Sequence, residues 1–134
     1  MSLMESCLTV AIVSTVTLIT VPKMLQTRDD YVLSSAARDV ASALHSARIR
    51  AVSRNQDCRF RVTSQVTYAI ECEDATWVLD KTVVLPRGIA IAANARPEFH
   101  RLGNVSPTAT ITLSNAAGRQ RKVIVNNGGR IRLQ

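Results

Sequence analysis

The chain has 134 residues, which is room for one modest domain and an accessory segment, and its formal net charge is +7. Residues 1–80 contain eight Lys and Arg and nine Asp and Glu, whereas residues 81–134 contain nine Lys and Arg and a single acid, Glu98. Fourteen of the seventeen basic residues are Arg, whose planar side chain binds phosphate and carboxylate groups bidentately. This basic C-terminal half favours a polyanionic partner, and a soluble surface that is simply basic is the alternative.

The first elements in the chain are apolar. Apart from Glu5 and Cys7, residues 3–21 are Leu, Ile, Val, Ala and Met mixed with Ser and Thr. As a helix these nineteen residues would span about 28 Å, close to the hydrocarbon thickness of a bilayer. Their hydroxyl groups are compatible with that role because they can donate to carbonyls of the same helix. A secretory signal peptide is disfavoured because no basic residue precedes the apolar run. We therefore predict a hydrophobic N-terminal helix, with Cys7 as one of its apolar residues.

Two residues interrupt this apolar pattern. An acidic side chain in an apolar helix is costly unless it is paired, so Glu5 requires a partner. The free α-amino group of a neighbouring chain would serve, and the dipole at the helix N-terminus would assist. Pro22 removes a backbone donor and crowds the preceding turn, which predicts a kink or local break in the helix.

Met1, Glu5 and Pro22, with the apolar run between them, resemble the mature N-terminus of type IV pilins and type II secretion pseudopilins. The resemblance implies that prepilin peptidase has removed a leader, that the N-terminal amine is methylated, and that Glu5 pairs with such an amine during assembly. It further implies a single-pass protein of the bacterial inner membrane with a periplasmic head. Such a protein then joins other pilin or pseudopilin subunits in a helical pilus or pseudopilus, and a pilus extends outside the cell.

Residues 24–54 continue as an amphipathic helix that ends near Asn55. His45 is expected at the surface or its boundary rather than in a metal site. The apolar stripe expected to pack on a sheet follows helical spacing: Leu33, Ala36, Ala37, Val40, Ala41, Leu44, Ala47 and Ala51.

From residue 57 the pattern becomes strand-like, beginning with a hairpin of residues 58–63 and 66–72 around Ser64-Gln65. The sequence predicts an α+β fold, with a long N-terminal α-helix packed on a small antiparallel β-rich head. The expected segments are a transmembrane or filament-core helix (1–27, broken near Pro22), an amphipathic half (28–56) and the head (57–134). Further strands are predicted at 77–79, 82–85, 89–92, 108–113, 120–125 and 130–133, with a looser stretch at 94–107.

Pairing in the first hairpin sets Cys58 close to opposite Cys72, so a cross-strand disulfide is geometrically possible. An exported head would be in an oxidising compartment that permits such a bond. Two free thiols are the alternative.

The C-terminal run Gly129-Arg130-Ile131-Arg132, together with residues 43–48 of the helix end, resembles pilins of the FimT/GspH type. Gly-Arg-x-Arg looks like the DNA-contacting motif of FimT-type minor pilins used in natural transformation. In a strand, Arg130 and Arg132 project to one face about 6.6–6.8 Å apart, which matches the spacing of successive phosphates. Gly129 would permit a close backbone approach.

Three further basic residues lie one strand earlier. Arg119 and Arg121 are expected to share a face, with Lys122 on the opposite side. With Arg130 and Arg132 they predict a phosphate-binding platform for double-stranded DNA that does not discriminate sequence.

The alternative is a purely structural subunit without DNA binding, either a main filament subunit or the H-type pseudopilin of a type II secretion system. In that case the two C-terminal arginines bond acidic neighbours or cap the sheet. No nucleophile–base pair, metal-ligand spacing or phosphate loop is visible in the sequence. Neither catalysis nor a metal or cofactor is therefore predicted.

Overall fold

The computed structural model describes residues 2–134, in which one α-helix precedes nine β-strands. The helix α1 spans Leu3–Ser53. The chain divides between Tyr31 and Val32 into two units, each with its own internal contacts. The strands are β1 (Cys58–Ser64), β2 (Thr67–Asp74), β3 (Thr76–Val84), β4 (Ile89–Ala93), β5 (Glu98–Phe99), β6 (Val105–Ser106), β7 (Ala109–Asn115), β8 (Gln120–Val125) and β9 (Ile131–Leu133).

The first unit is the N-terminal part of α1. Its large apolar side chains, from Leu3 to Tyr31, are all more than half exposed. The helix contains an 18-residue window of mean hydropathy 1.8 in which no residue is buried, so its length and composition are sufficient to cross a membrane. As predicted, its hydroxyl groups bond to the same helix. Ser14 donates to the Val10 carbonyl at 2.7 Å and Thr17 to the Val13 carbonyl at 2.6 Å.

The core lies in the second unit, where the C-terminal part of α1 packs on the strands. The predicted stripe is confirmed, except that Ala41 is only partly buried. Four of its seven buried residues are alanines, so the sheets can approach the helix closely. From the strands, Phe60 stacks on Tyr68 with ring centroids 5.0 Å apart. One apolar cluster joins the helix to both sheets, and it includes Leu33, Val40, Leu44, Phe60, Tyr68, Phe99, Ile111, Leu113, Val123 and Val125.

The strands form two antiparallel sheets. The five-stranded sheet has the order β3-β2-β1-β5-β6, and the four-stranded sheet has the order β4-β7-β8-β9. The predicted α+β class is therefore confirmed. The strand β9 lies at one edge of the four-stranded sheet and pairs with β8.

The predicted local break at Pro22 is not present, because α1 is helical through this residue, and the predicted kink stays a prediction. Proline lacks one donor, but its fixed φ of about −65° is itself helical, so the turns on both sides retain their own hydrogen bonds. Irregularity at Pro22 inside an assembled filament stays a prediction, as do the boundaries placed after residues 27 and 56.

Three strand predictions also differ from the structure. Residues 77–79 and 82–84 belong to one strand, β3, which tolerates a register shift opposite Ile70 and Glu71, and Leu85 lies just beyond its end. The first hairpin turns at Gln65-Val66, one residue later than predicted. The looser stretch contains β5 and β6, which have two residues each and are too short to show an alternating pattern.

Candidate polyanion-binding surface and assembly segment

The C-terminal hairpin positions the Gly-Arg-x-Arg motif. A turn at residues 126–129 closes it, with the Gly129 amide donating to the Asn126 carbonyl at 2.9 Å. The Asn126 amide then donates to the Arg130 carbonyl at 3.0 Å, and β9 begins at the next residue. At the far end, the amides of Lys122 and Gln134 each donate to the other's carbonyl at 2.8 Å.

Strand register determines which basic side chains share a face. Arg132 lies opposite Ile124, so the two side chains project to the same side of the sheet. Lys122 is two residues before Ile124 in β8, so it also projects there. Arg130 lies just before β9, and its carbonyl accepts the Asn126 amide, so extending the hairpin pairing by one residue places it on the same side as Arg132. The other side carries Val123 and Val125, which are fully buried. Lys122, Arg130 and Arg132 are exposed on the outward side of the four-stranded sheet, and we call these three residues the basic face.

No residue of the basic face forms an ion pair within residues 2–134. The alternative that the arginines bond acidic neighbours is therefore not observed in the single chain. Three exposed cations on one surface make it suitable for contact with an extended anion.

The structure divides the predicted five-residue platform. Arg121 has the same strand parity as Val123 and lies opposite Leu113, so it projects from the side of the sheet that is buried elsewhere. Arg119 precedes β8, and its amide donates to the Asn115 side-chain oxygen at 3.0 Å in the β7–β8 turn. Lys122, which was expected on the opposite side from these two, is the residue that joins Arg130 and Arg132.

Gly129 has a different role from the one predicted. It is buried with φ at +76°, and a Cβ at this position would lie 2.3 Å from the Gly103 carbonyl oxygen. The close approach that Gly129 permits is thus to its own chain. Gly128, beside it, is exposed and would have no heavy atom within 4 Å of an added Cβ.

The structure confirms the predicted disulfide between Cys58 and Cys72, whose Cα atoms are 4.1 Å apart across the β1–β2 pair. Cys7 is a free, exposed cysteine.

Of the predicted assembly residues, Met1 lies outside the described residues. Glu5 is in the first turn of α1, where its amide donates to the Ser2 side-chain oxygen at 3.4 Å. Ser2 therefore caps the helix, and the order Ser-x-x-Glu is the pattern of a capping box. Across residues 2–134 no cation pairs with the Glu5 carboxylate. Pro22 is exposed within the continuous helix, and the assembly roles of all three residues stay predictions.

One cluster outside the basic face has metal-ligating side chains. Asp57, Glu98 and His100 each offer a ligand atom, and these atoms lie within 4.8 Å of one another. The pairing of β1 with β5 brings together residues that are about forty apart in sequence, so spacing alone gave no signal. Asp57 already accepts a bond from the Arg101 amide at 3.2 Å and lies 3.3 Å from the His100 Nδ1. These contacts of the Asp57 carboxylate stabilise the turn that contains His100 and Arg101, and that structural role is sufficient to explain it.

A cavity of about 320 Å³ lies between the helix and the five-stranded sheet in the second unit, and Asp39, Tyr68 and Asp80 contribute to its lining. Burial raises the pKa of the Tyr68 hydroxyl above its ordinary value of 10.0, and the negative charge of Asp39 raises it further. Arg50 forms an ion pair with Asp80 beside this cavity.

A long apolar N-terminal helix that leads into an antiparallel head is the architecture of a pilin-like filament subunit. Solved structures of this kind resemble the chain. The minor pseudopilin EpsH of the Vibrio cholerae type 2 secretion system matches with a TM-score of 0.68 at 15% identity, over 76% of this chain and 95% of that one. The Pseudomonas aeruginosa type IV minor pilin FimU matches with a TM-score of 0.66 at 18% identity, over 82% of this chain and 92% of that one. Escherichia coli GspH matches with a TM-score of 0.66 at 12% identity, over 78% of this chain and 88% of that one.

A sequence family described as type II transport protein GspH matches residues 36–129. The chain therefore belongs to the GspH family, within the superfamily of type IV pilins and type II secretion pseudopilins. No curated protein sequence matches this chain. The family and the fold are those of structural pilin or pseudopilin subunits, and the exposed apolar helix fits a membrane-anchored subunit that assembles with others.

Proposed function

We propose that this subunit binds double-stranded DNA through its basic face while its N-terminal helix holds it in a type IV pilus. The observation that supports DNA contact is the group formed by Lys122, Arg130 and Arg132. These three exposed cations lie on one sheet surface and have no acidic partner within residues 2–134. A phosphate backbone supplies the anions that such a surface lacks.

The chemistry of this surface favours binding that does not discriminate sequence. The neighbouring strand β7 presents Thr110 and Thr112 on the same side, since Thr110 lies opposite Ile124 and Thr112 opposite Lys122. These hydroxyl groups can bond phosphate oxygens but carry no base-specific pattern. Residues 101–134 contain no aromatic side chain, so stacking on unpaired bases is not expected. Affinity would then depend mainly on counterion release.

This proposal predicts a salt dependence. Three phosphate contacts give a slope of roughly −2.7 in the plot of log affinity against log salt, which is about 40-fold weaker binding at 200 mM than at 50 mM. Removing two contacts with Arg130→Ala and Arg132→Ala would make the slope shallower, at roughly −0.9. Binding at 200 mM salt would then be only about 3.5-fold weaker than at 50 mM.

The test uses the full chain in a nonionic detergent and a labelled DNA duplex of random sequence, with affinity measured across salt concentrations. The matched control is Arg38→Ala with Arg54→Ala, which removes the same charge from exposed positions at the helix. We expect the control to keep the wild-type slope. If the Arg130 and Arg132 variant keeps the wild-type affinity and slope, the basic face does not bind DNA.

We propose that assembly depends on the Glu5 carboxylate pairing with the methylated N-terminal amine of a neighbouring subunit. The absence of any cation beside Glu5 within residues 2–134 supports this, because an apolar filament core requires the charge to be paired. Prepilin peptidase would release the amine in the inner membrane, leaving the head in the periplasm until the subunit enters the filament. Glu5→Ala and the uncharged isostere Glu5→Gln should both reduce incorporation into filaments, measured by quantifying the subunit in sheared filament fractions. Normal incorporation of Glu5→Gln would contradict the pairing.

A second candidate is the H-type pseudopilin of a type II secretion system, which would not bind DNA. The family description and the similarity to EpsH favour it. Deleting the chromosomal copy separates the two functions. Loss of DNA uptake with normal protein secretion would support the pilus function, and the reverse phenotype would support the pseudopilin.

A further inference from the structure

The Gly-Arg-x-Arg motif is connected to the helix by one side chain. Arg48, in the second unit, donates from Nε to the Gly103 carbonyl at 3.2 Å and from Nη2 to the Gly128 carbonyl at 3.4 Å. The first carbonyl belongs to the loop between β5 and β6, and the second belongs to the turn before β9. The guanidinium group therefore joins the helix to two separate loops.

The packing of Gly129 makes the same junction close. A Cβ at Gly129 would lie 2.7 Å from the Arg48 Nε as well as 2.3 Å from the Gly103 carbonyl oxygen. The turn is also bonded to β6, the strand that follows the loop, since the Val105 amide donates to the Asn127 carbonyl at 2.8 Å. The helix α1, the β5–β6 loop and the turn at residues 126–129 therefore meet at Gly129, where only glycine fits. Gly129 directly precedes Arg130, the first arginine of the basic face.

We infer that Arg48 is a positioning residue for the basic face. The strand β9 has only three residues and lies at the edge of the sheet, so it pairs with β8 along one side and with no strand along the other. Arg130 lies before β9 and depends on the turn, whose Gly128 carbonyl Arg48 holds. The motif thus divides into a glycine that seats the turn against Arg48 and two arginines that project outward. The effect on ligand binding rests on the proposed DNA contact, whereas the positioning itself can be measured without DNA.

Arginine is required here by geometry. A guanidinium group directs several N–H donors from one rigid plane, so it can bond two carbonyls that lie in different loops. A lysine at the same position keeps the charge but offers a single flexible ammonium group. Arg48→Lys therefore separates the effect of charge from that of the two-carbonyl contact.

The first measurement is hydrogen exchange, read by mass spectrometry on the full chain in detergent. In Arg48→Ala we expect peptides covering residues 100–105 and 126–134 to exchange at least ten-fold faster, while β1 and β2 keep wild-type rates. Arg38→Ala, an exposed arginine of the same helix, is the control and should change neither region. Unchanged exchange at residues 126–134 in Arg48→Ala would overturn the inference, as would equal acceleration throughout the second unit.

The second measurement is duplex DNA affinity at 50 mM salt. Arg48→Ala and Arg38→Ala each remove one positive charge. A loss of DNA affinity that is ten-fold larger in Arg48→Ala would therefore reflect displacement of the basic face. Arg48→Lys should behave like Arg48→Ala in both measurements, and full rescue by Lys would overturn the two-carbonyl contact. Equal losses in the two alanine variants would also overturn the inference. If the wild-type chain does not bind DNA, the proposed function fails, and the exchange result alone decides the role of Arg48.

The glycine pair gives an independent approach to the same contact. Gly129→Ala places a methyl group against Gly103 and Arg48 on a backbone with φ at +76°, so the contact and the backbone strain together should accelerate exchange at residues 126–134 as Arg48→Ala does. Gly128→Ala adds the same methyl group one residue earlier, where it meets open space, and should leave the exchange unchanged. Equal exchange in the two glycine variants would contradict the proposed junction.

Discussion

Loss of the disulfide should produce a large change in the stability of the head. The two cysteines are separated by 14 residues in sequence. Closing a loop of this size removes entropy from the unfolded chain worth about 3 kcal/mol. Small domains are stable by only about 5–15 kcal/mol, so Cys58→Ala with Cys72→Ala removes a large share of the total. At about 4–8 °C per kcal/mol for a domain of 60–100 residues, the melting temperature should fall by roughly 12–24 °C.

Trp77 provides the assay. It is the single tryptophan of the chain and lies in β3, opposite Glu73 of the disulfide-bonded strand β2. Arg59 of β1 lies 4.1 Å from its ring centroid, so the fluorescence of Trp77 reports on the whole hairpin. Melting curves of the full chain in detergent should shift equally when the wild type is reduced and when both cysteines are replaced. Cys7→Ala, which removes the free cysteine, is the control and should leave the melting temperature unchanged. A shift smaller than about 4 °C in the double variant would refute the loop-entropy argument.

Three further changes test the core and the cavity beside it. Leu44 is fully buried, so Leu44→Ala should lower the free energy of unfolding by about 2–5 kcal/mol in denaturant titrations, and a loss below 1 kcal/mol would contradict its place in the core. The side chains of the Arg50–Asp80 ion pair are 40% and 25% exposed, so Arg50→Ala should cost less than about 1 kcal/mol by the same measurement, and a larger loss would contradict solvent screening of the pair. The raised pKa of Tyr68 means that the unfolded chain releases this proton first, so stability should fall as the pH rises from 10.0 through the folded-state pKa. Tyr68→Phe should remove that part of the decline in melting temperature, and an unchanged decline would show that other groups cause it.

Much of the fold follows from local patterns that the sequence displays directly. The stripe from Leu33 to Ala51 has helical spacing because one side of α1 is buried, and the turn residues at 126–129 are those that a tight turn requires. The register that brings Cys58 opposite Cys72 follows from hairpin length together with a register shift between Val62 and Ser64. These features depend on neighbours within about fifteen residues, so periodicity and turn chemistry are sufficient to predict them.

The composition of the basic face was only partly predicted. The apolar residues Val123 and Val125 indicate which parity of β8 is buried, and that signal would have assigned Arg121 to the inner side and Lys122 to the outer side. The contact of Arg48 with Gly103 and Gly128 could not be predicted in this way. Gly103 and Gly128 follow Arg48 by 55 and 80 positions, and no local sequence pattern indicates contacts between residues so far apart.

The internally bonded hydroxyl groups of the apolar helix determine what an adjacent subunit can recognise. Thr9, Ser14, Thr15 and Thr17 direct their protons to carbonyls of their own helix, so a neighbouring helix meets mainly methyl and methylene groups. Surfaces of that kind fit almost equally well when one rod slides past another by a turn of about 5.4 Å. Under the proposed pairing of Glu5 with a neighbouring amine, the stagger between subunits depends on this one carboxylate of the apolar run, because a slide of that size would separate it from the opposing cation.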